Sequence, residues 1–212
     1  MPLKNIILDF DGTLGDTRRL IVTTLQDTLR QKGLPVVDAA LCASTIGLRL
    51  DESFRTLLPL SEAEAQDCAA TYREIFDQNK LTIAVEPFPH VVETIRLLHA
   101  QGHTLAIASS RSRHSLIDYA KQFDIEECLA TIVSADDVAH VKPAPDMALL
   151  AMRQMGANAA ETVVVGDTAY DILMGQSAGT HTCAVTYGNG TAAQLATADY
   201  VINDFADLAK IL

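Results

Sequence analysis

Two carboxylates, Asp9 and Asp11, flank Phe10 and precede Gly12, Thr13 and Leu14, directly after the apolar run Ile6-Ile7-Leu8. A short apolar run closed by a glycine turn reads as a buried strand. Side chains two apart on a strand share a face, so both acids are delivered together where the run stops. Like charges this close need relief. A divalent cation such as Mg²⁺ supplies it, since that ion favours a few carboxylates plus substrate phosphate. Keeping one carboxyl protonated, as a general acid, is a second route. An ordinary acidic β-turn also accounts for Asp and Gly here. Further along, Ser109-Ser110-Arg111 offers two hydroxyls and the first N–H groups of a helix, suited to a phosphate or simply to an N-cap. Lys142, before Pro143, by itself reads as a solvated loop residue. In Gly166-Asp167-Thr168-Ala169-Tyr170-Asp171, Thr168 with an acid three residues later makes a helix-capping arrangement that explains Asp171.

These residues need a frame that gathers strand ends. Thr104–Ala108, Thr131–Val133, Thr162–Val165, Thr182–Val185 and the short Tyr200–Ile202 read as strands. Helices are expected from about Pro89 to Gln101, Ser115 to Gln122, Pro145 to Met155 and Ala169 to Ala178, with Gly102, Gly156 and Gly179 as stops. Near-continuous apolar strands alternating with helices predict an α/β fold: a Rossmann-like parallel sheet with helices on both faces. In such sheets ligands bind beyond the carboxyl ends of the strands. Residues 15–83 lose strand character. Ile21, Leu25, Thr28 and Leu29 recur at helical spacing until Gly33 and Pro35. Ser61 with Glu64 reads as a capping box ahead of an apolar stripe running from Ala65 to Phe76. The expected organisation is a core domain of residues 1–14 and 84–212, with an inserted domain of about four helices over residues 15–83.

With 212 residues, 49% of them hydrophobic, the chain can bury one sizeable core and a smaller module. A net charge of -11 argues against nucleic-acid and anionic-membrane partners. Met1-Pro2-Leu3-Lys4 leads straight into a strand, and no apolar stretch approaches the ~20 residues of a membrane span. A cytoplasmic location is expected. Cys42, Cys68, Cys128 and Cys183 lack C-x-x-C spacing and are expected to be buried free thiols.

The hexapeptide Asp9–Leu14 resembles the first motif of the haloacid dehalogenase superfamily, Asp-x-Asp-x-Thr plus an apolar residue. Ser109 fits that family's second motif, Lys142-Pro143 its third, and Gly166-Asp167-Thr168-x-x-Asp171 its fourth. The four occur in the family's order along the whole chain. The resemblance implies that Asp9 is a nucleophile forming an aspartyl-phosphate and that Asp11 is the general acid/base. It implies that Lys142 contacts Asp9 and the transferring phosphoryl oxygens, while Ser109 and Ser110 help to bind phosphate. Asp9, Asp167 and the backbone carbonyl of Asp11 would hold Mg²⁺, with Asp171 and Thr13 behind them.

The dehalogenase branch replaces the second acid of the first motif, so Asp11 points to phosphoryl transfer. The helical insert resembles the cap of phosphoglycolate phosphatase-like and β-phosphoglucomutase-like members, which closes over the site. Thr45–Phe54 resembles the cap specificity loop. Arg49 stands where relatives commonly carry proline, as a contact for an anionic or hydroxyl-rich leaving group or as a surface residue at a helix start. His90 stands where relatives usually have glycine. The expected activity is Mg²⁺-dependent hydrolysis of a small phosphorylated metabolite by a monomer or homodimer. A phosphomutase, a pyrophosphatase and a non-catalytic sensor are the alternatives.

Overall fold

A computed structural model describes residues 2–212. β1 (Asn5–Leu8) is the third of six parallel strands, with β2 (Thr104–Ser109), β3 (Leu129–Ser134), β4 (Thr162–Gly166), β5 (His181–Val185) and β6 (Tyr200–Ile202). The order is β3-β2-β1-β4-β5-β6, so the chain reverses its direction of winding between β1 and β4. That reversal opens the crevice at which α/β sheets bind ligands.

Alternation along the central strands sends Ile6, Leu8, Leu105 and Ile107 to one face and Ile7, Ala106 and Ala108 to the other. α5 (Val91–Ala100) and α6 (Arg113–Gln122) cover the first face through Ile95, Leu98 and Leu116. α7 (Asp146–Met155) and α8 (Ala169–Ser177) cover the second through Met147, Ala151 and Met174. Burial on both faces is why these strands read as unbroken apolar runs.

Between β1 and β2 lie α1 (Arg18–Gln31), α2 (Ala39–Ala43), α3 (Leu50–Leu57) and α4 (Glu62–Asn79). Ser61 and Glu64 form the reciprocal capping box expected of them. The apolar cluster runs without a break from the sheet face into these helices, through Leu20, Leu25, Phe54 and Tyr72. The chain leaves for the helices and returns through one narrow place. There, Asp16 N–H donates to Glu86 O at 2.9 Å and Phe88 N–H donates to Leu14 O at 2.9 Å.

Some boundaries differ from the sequence reading. α5 starts at Val91, because His90 takes a left-handed conformation (φ 63°) that ends helical continuity with Pro89. α6 starts at Arg113 with Ser112 at its N-cap, so neither Ser109 nor Ser110 caps it. The helical turn α9 (Ala192–Leu195) and a 3₁₀ segment at Phe205–Lys210 carry too little periodicity to stand out in the sequence. All four cysteines are free, but Cys128 is only half-buried.

Candidate active site

β1 delivers Asp9 to the carboxyl edge of the sheet, where its N–H donates to Val165 O on β4 at 2.9 Å. The turn that follows folds back on itself: Leu14 and Gly15 N–H both donate to Phe10 O at 3.0 Å. Gly12 sits in it at φ 90°, and a Cβ there would lie 2.2 Å from Asp167 Oδ2. Only glycine permits both the conformation and the approach.

Asp167, just past β4, is held by Asn189, whose backbone N–H and Nδ2 donate to Oδ2 at 2.6 and 3.1 Å. The Thr13 hydroxyl donates to its Oδ1 at 3.3 Å. Lys142 Nζ reaches across to Asp9 Oδ1 and, at 2.6 Å, to Asp171 Oδ1. The other Asp171 oxygen accepts from Thr168 N–H at 3.0 Å and Thr168 Oγ1 at 2.6 Å. Asp171 thus caps α8 and orients the lysine at once. One carboxylate oxygen each from Asp9, Asp167 and Asp171 lies within 4.8 Å of the others.

Asp11 is turned away from this group. Its Oδ1 accepts from Arg111 Nη1 at 2.6 Å, with both side chains about nine-tenths buried (9% and 11% exposed). The guanidinium lies 4.9 Å from the ring centre of Phe76 on α4 and 5.0 Å from that of Tyr119 on α6. Its Nε donates to Ser115 Oγ at 3.1 Å.

Asp9, Asp11, Asp167 and Asp171 are all buried, with Lys142 and Arg111 as their cationic partners. Two negative charges are left over. Burial pushes the Asp9 carboxyl well up, against the pull of Lys142 and helped by its acidic neighbours. Burial, with Asp171 adding to it, pushes Asp167 up to about 7. Lys142 would lose affinity for its proton on burial, but Asp171 and Asp9 outweigh that and hold it raised. Buried acids short of positive charge, with only hard oxygen donors, fit a divalent cation of the Mg²⁺ kind. From Asp11 and Arg111 a cavity of about 660 Å³ extends under the helical insert, lined also by Arg49 and Phe76.

The sequence matches the family described as Haloacid dehalogenase-like hydrolase over residues 6–185. The chain belongs to that family. The family and its α/β fold therefore stand as the sequence suggested. The chain is similar to the probable phosphatase IndB of Dickeya dadantii, at 38% identity over 96% of this chain and 90% of that protein. It is 34% identical to the pyrophosphatase PpaX of Halalkalibacterium halodurans, covering 100% and 98%. Among solved structures, one from Bacteroides fragilis described as a haloacid dehalogenase-like hydrolase superposes with a TM-score of 0.88 at 27% identity, covering 97% and 99%.

Within this haloacid dehalogenase-like site, Asp9, Asp167, Asp171, Lys142 and Thr13 are brought together across strand ends. Ser109 is buried at the end of β2, on the strand next to β1. Ser110 departs from the expected phosphate cradle. Its hydroxyl donates to Gly47 O in the helical insert at 2.7 Å, which spends its one proton. Arg49 lies apart from the acids, at the N-cap of α3, 42% exposed and 3.4 Å from Asp51. His90 is also remote, paired with Asp204 at 2.8 Å. Arg111 and Asn189 were not singled out from the sequence as site residues. Position next to Ser109-Ser110 was the available signal for Arg111; Asn189 had none beyond the Gly188-Asn189-Gly190 turn.

Proposed function

We propose that the protein is a Mg²⁺-dependent phosphatase that hydrolyses a small phosphorylated metabolite through an aspartyl-phosphate on Asp9. The observation that carries this reading is the meeting of Asp9, Asp167 and Lys142 at one sheet edge. Asp9 is the nucleophile: its carboxylate attacks phosphorus, and the ester oxygen leaves as the new bond forms. Lys142 offsets the charge that grows on the phosphoryl oxygens. Ser109, with its hydroxyl free of side-chain partners among the described residues, donates to one of those oxygens. Asp11 gives a proton to the leaving oxygen, then takes one from the water that releases phosphate from Asp9. Asp9, Asp167 and the Asp11 carbonyl would hold the cation, which supplies positive charge beside the phosphoryl group. Arg111 positions Asp11, and the four-helix insert covers the site as a cap.

The test is phosphate release from p-nitrophenyl phosphate with Mg²⁺ and with EDTA, on the wild type and on Asp9→Asn. Release should need the metal and fall at least about a thousand-fold in the variant, as loss of a nucleophile does. Full activity in Asp9→Asn would end the assignment of the nucleophile. Pyrophosphate cleavage is a second reading, favoured by the PpaX relative. A phosphomutase would be recognised by glucose 6-phosphate, in place of inorganic phosphate, from β-glucose 1-phosphate.

A further inference from the structure

We infer, building on the phosphatase reading, that the substrate is a phosphate monoester of a bulky, uncharged alcohol with an apolar face, and not pyrophosphate or a short carboxylated ester. The position, size and charge of one cavity carry this.

The cavity begins at Asp11 and Arg111 and is not lined by Asp9, Lys142 or Asp167. A phosphoryl group bound at those three leaves its ester oxygen beside Asp11, so the body of the alcohol must enter the cavity. The insert is already seated on the core, since Ser110 donates to Gly47 O at 2.7 Å. The roughly 660 Å³ is therefore the space under a docked insert. It falls in the middle of the about 300–1,000 Å³ typical of pockets that enclose drug-sized ligands. Orthophosphate or glycolate, as leaving groups, would leave most of it to water.

Its walls also oppose a second anion. They carry five aspartates against four lysines and arginines. Arg111 is taken by Asp11 at 2.6 Å, Lys80 by Asp77 at 2.7 Å, and Arg49 by Asp51 at 3.4 Å. Among the described residues only Arg73 of these four has no acidic partner. A leaving group bearing carboxylate or phosphate would meet repulsion with one spare cation to answer it. Leu48, Leu50, Leu81 and Ile83 meanwhile present apolar surface to the same space, which an apolar face of the alcohol would cover.

The experiment compares kcat/KM for adenosine 5′-monophosphate, glycerol 1-phosphate, phosphoglycolate and pyrophosphate, with p-nitrophenyl phosphate as the control for phosphatase activity. The nucleotide should exceed phosphoglycolate and pyrophosphate by at least tenfold. A second arm uses Ala84→Trp, at an exposed residue on the cavity wall, where a larger side chain is accommodated without entering the core. It should lower kcat/KM for the nucleotide at least tenfold more than for acetyl phosphate, a small reactive phosphoryl donor. Pyrophosphate or phosphoglycolate matching the nucleotide, or equal losses on both substrates in Ala84→Trp, would overturn the inference. No turnover of p-nitrophenyl phosphate with Mg²⁺ would instead overturn the phosphatase reading beneath it.

Discussion

On the proposed reading, the contact of Arg111 with Asp11 decides what that carboxylate does. A general acid must face the leaving oxygen, and a lone aspartate on a turn has several rotamers to choose among. The guanidinium, clamped between Phe76 and Tyr119, removes that choice. Arg111→Gln should therefore damage proton transfer selectively. For glycerol 1-phosphate, a poor leaving group, kcat/KM should fall by about 10²-fold, the usual worth of positioned acid catalysis. For p-nitrophenyl phosphate, which needs little protonation, the fall should be several-fold smaller. Equal losses would mean that Arg111 only supports the fold. Asp11 does not share a face with Asp9, because the strand ends at Leu8 and the turn carries Asp11 towards Arg111. The acids themselves were still legible, Asp9 and Asp11 from type and spacing and Asp167 from the family motif after a valine run. Arg111 was not, because its role is set by Phe76, distant in sequence and brought near only when α4 packs.

The turn after β1 is the element that most constrains the site. A Cβ on Gly12 would lie 2.2 Å from Asp167 Oδ2 and 2.4 Å from Asn189 Nδ2, at a φ that ordinary residues avoid. Gly12→Ala should cost about 1–2 kcal/mol from the backbone alone. Displacing Asp167 by the order of an ångström should lower kcat by roughly 10²-fold, measured beside a thermal melt to separate the two effects. Sheet strands and most helices were legible for the same kind of reason, since burial on both faces writes itself as valine and isoleucine runs. The start of α5 was not. Pro89 is a favourable first helical residue, and nothing local announces that His90 turns left-handed, a conformation that asks for glycine. His90→Gly should therefore leave α5 intact.

For the molecule as a whole, the surplus of buried negative charge links stability to pH and to metal. The Asp167 carboxyl moves from an ordinary 3.8 to about 7 on folding, and that of Asp9 moves the same way. Between these values the folded state binds more protons than the unfolded chain, so the metal-free protein loses stability as pH rises through that window. A bound divalent cation competes with those protons. The rise in melting temperature on adding Mg²⁺ should accordingly be larger at pH 8 than at pH 5.5, and a Mg²⁺ effect that shrank with pH would contradict the charge balance drawn for the site. What the sequence could not convey at this scale is the continuity of the apolar cluster, which joins Leu8 on the sheet to Tyr72 in the insert.

The paired crossing at Leu14–Asp16 and Glu86–Phe88 has a consequence for how such a chain can diversify. Both ends of the insert are stitched together beside β1 by their own hydrogen bonds, so the closure of that long excursion depends little on what lies within it. Segments of other lengths and sequences can be spliced in at this junction while the strand register, and the carboxylates it aligns, stay in place. The clamp on Arg111, which borrows Phe76 from the insert, is then the tie between the reacting groups and whatever is spliced in.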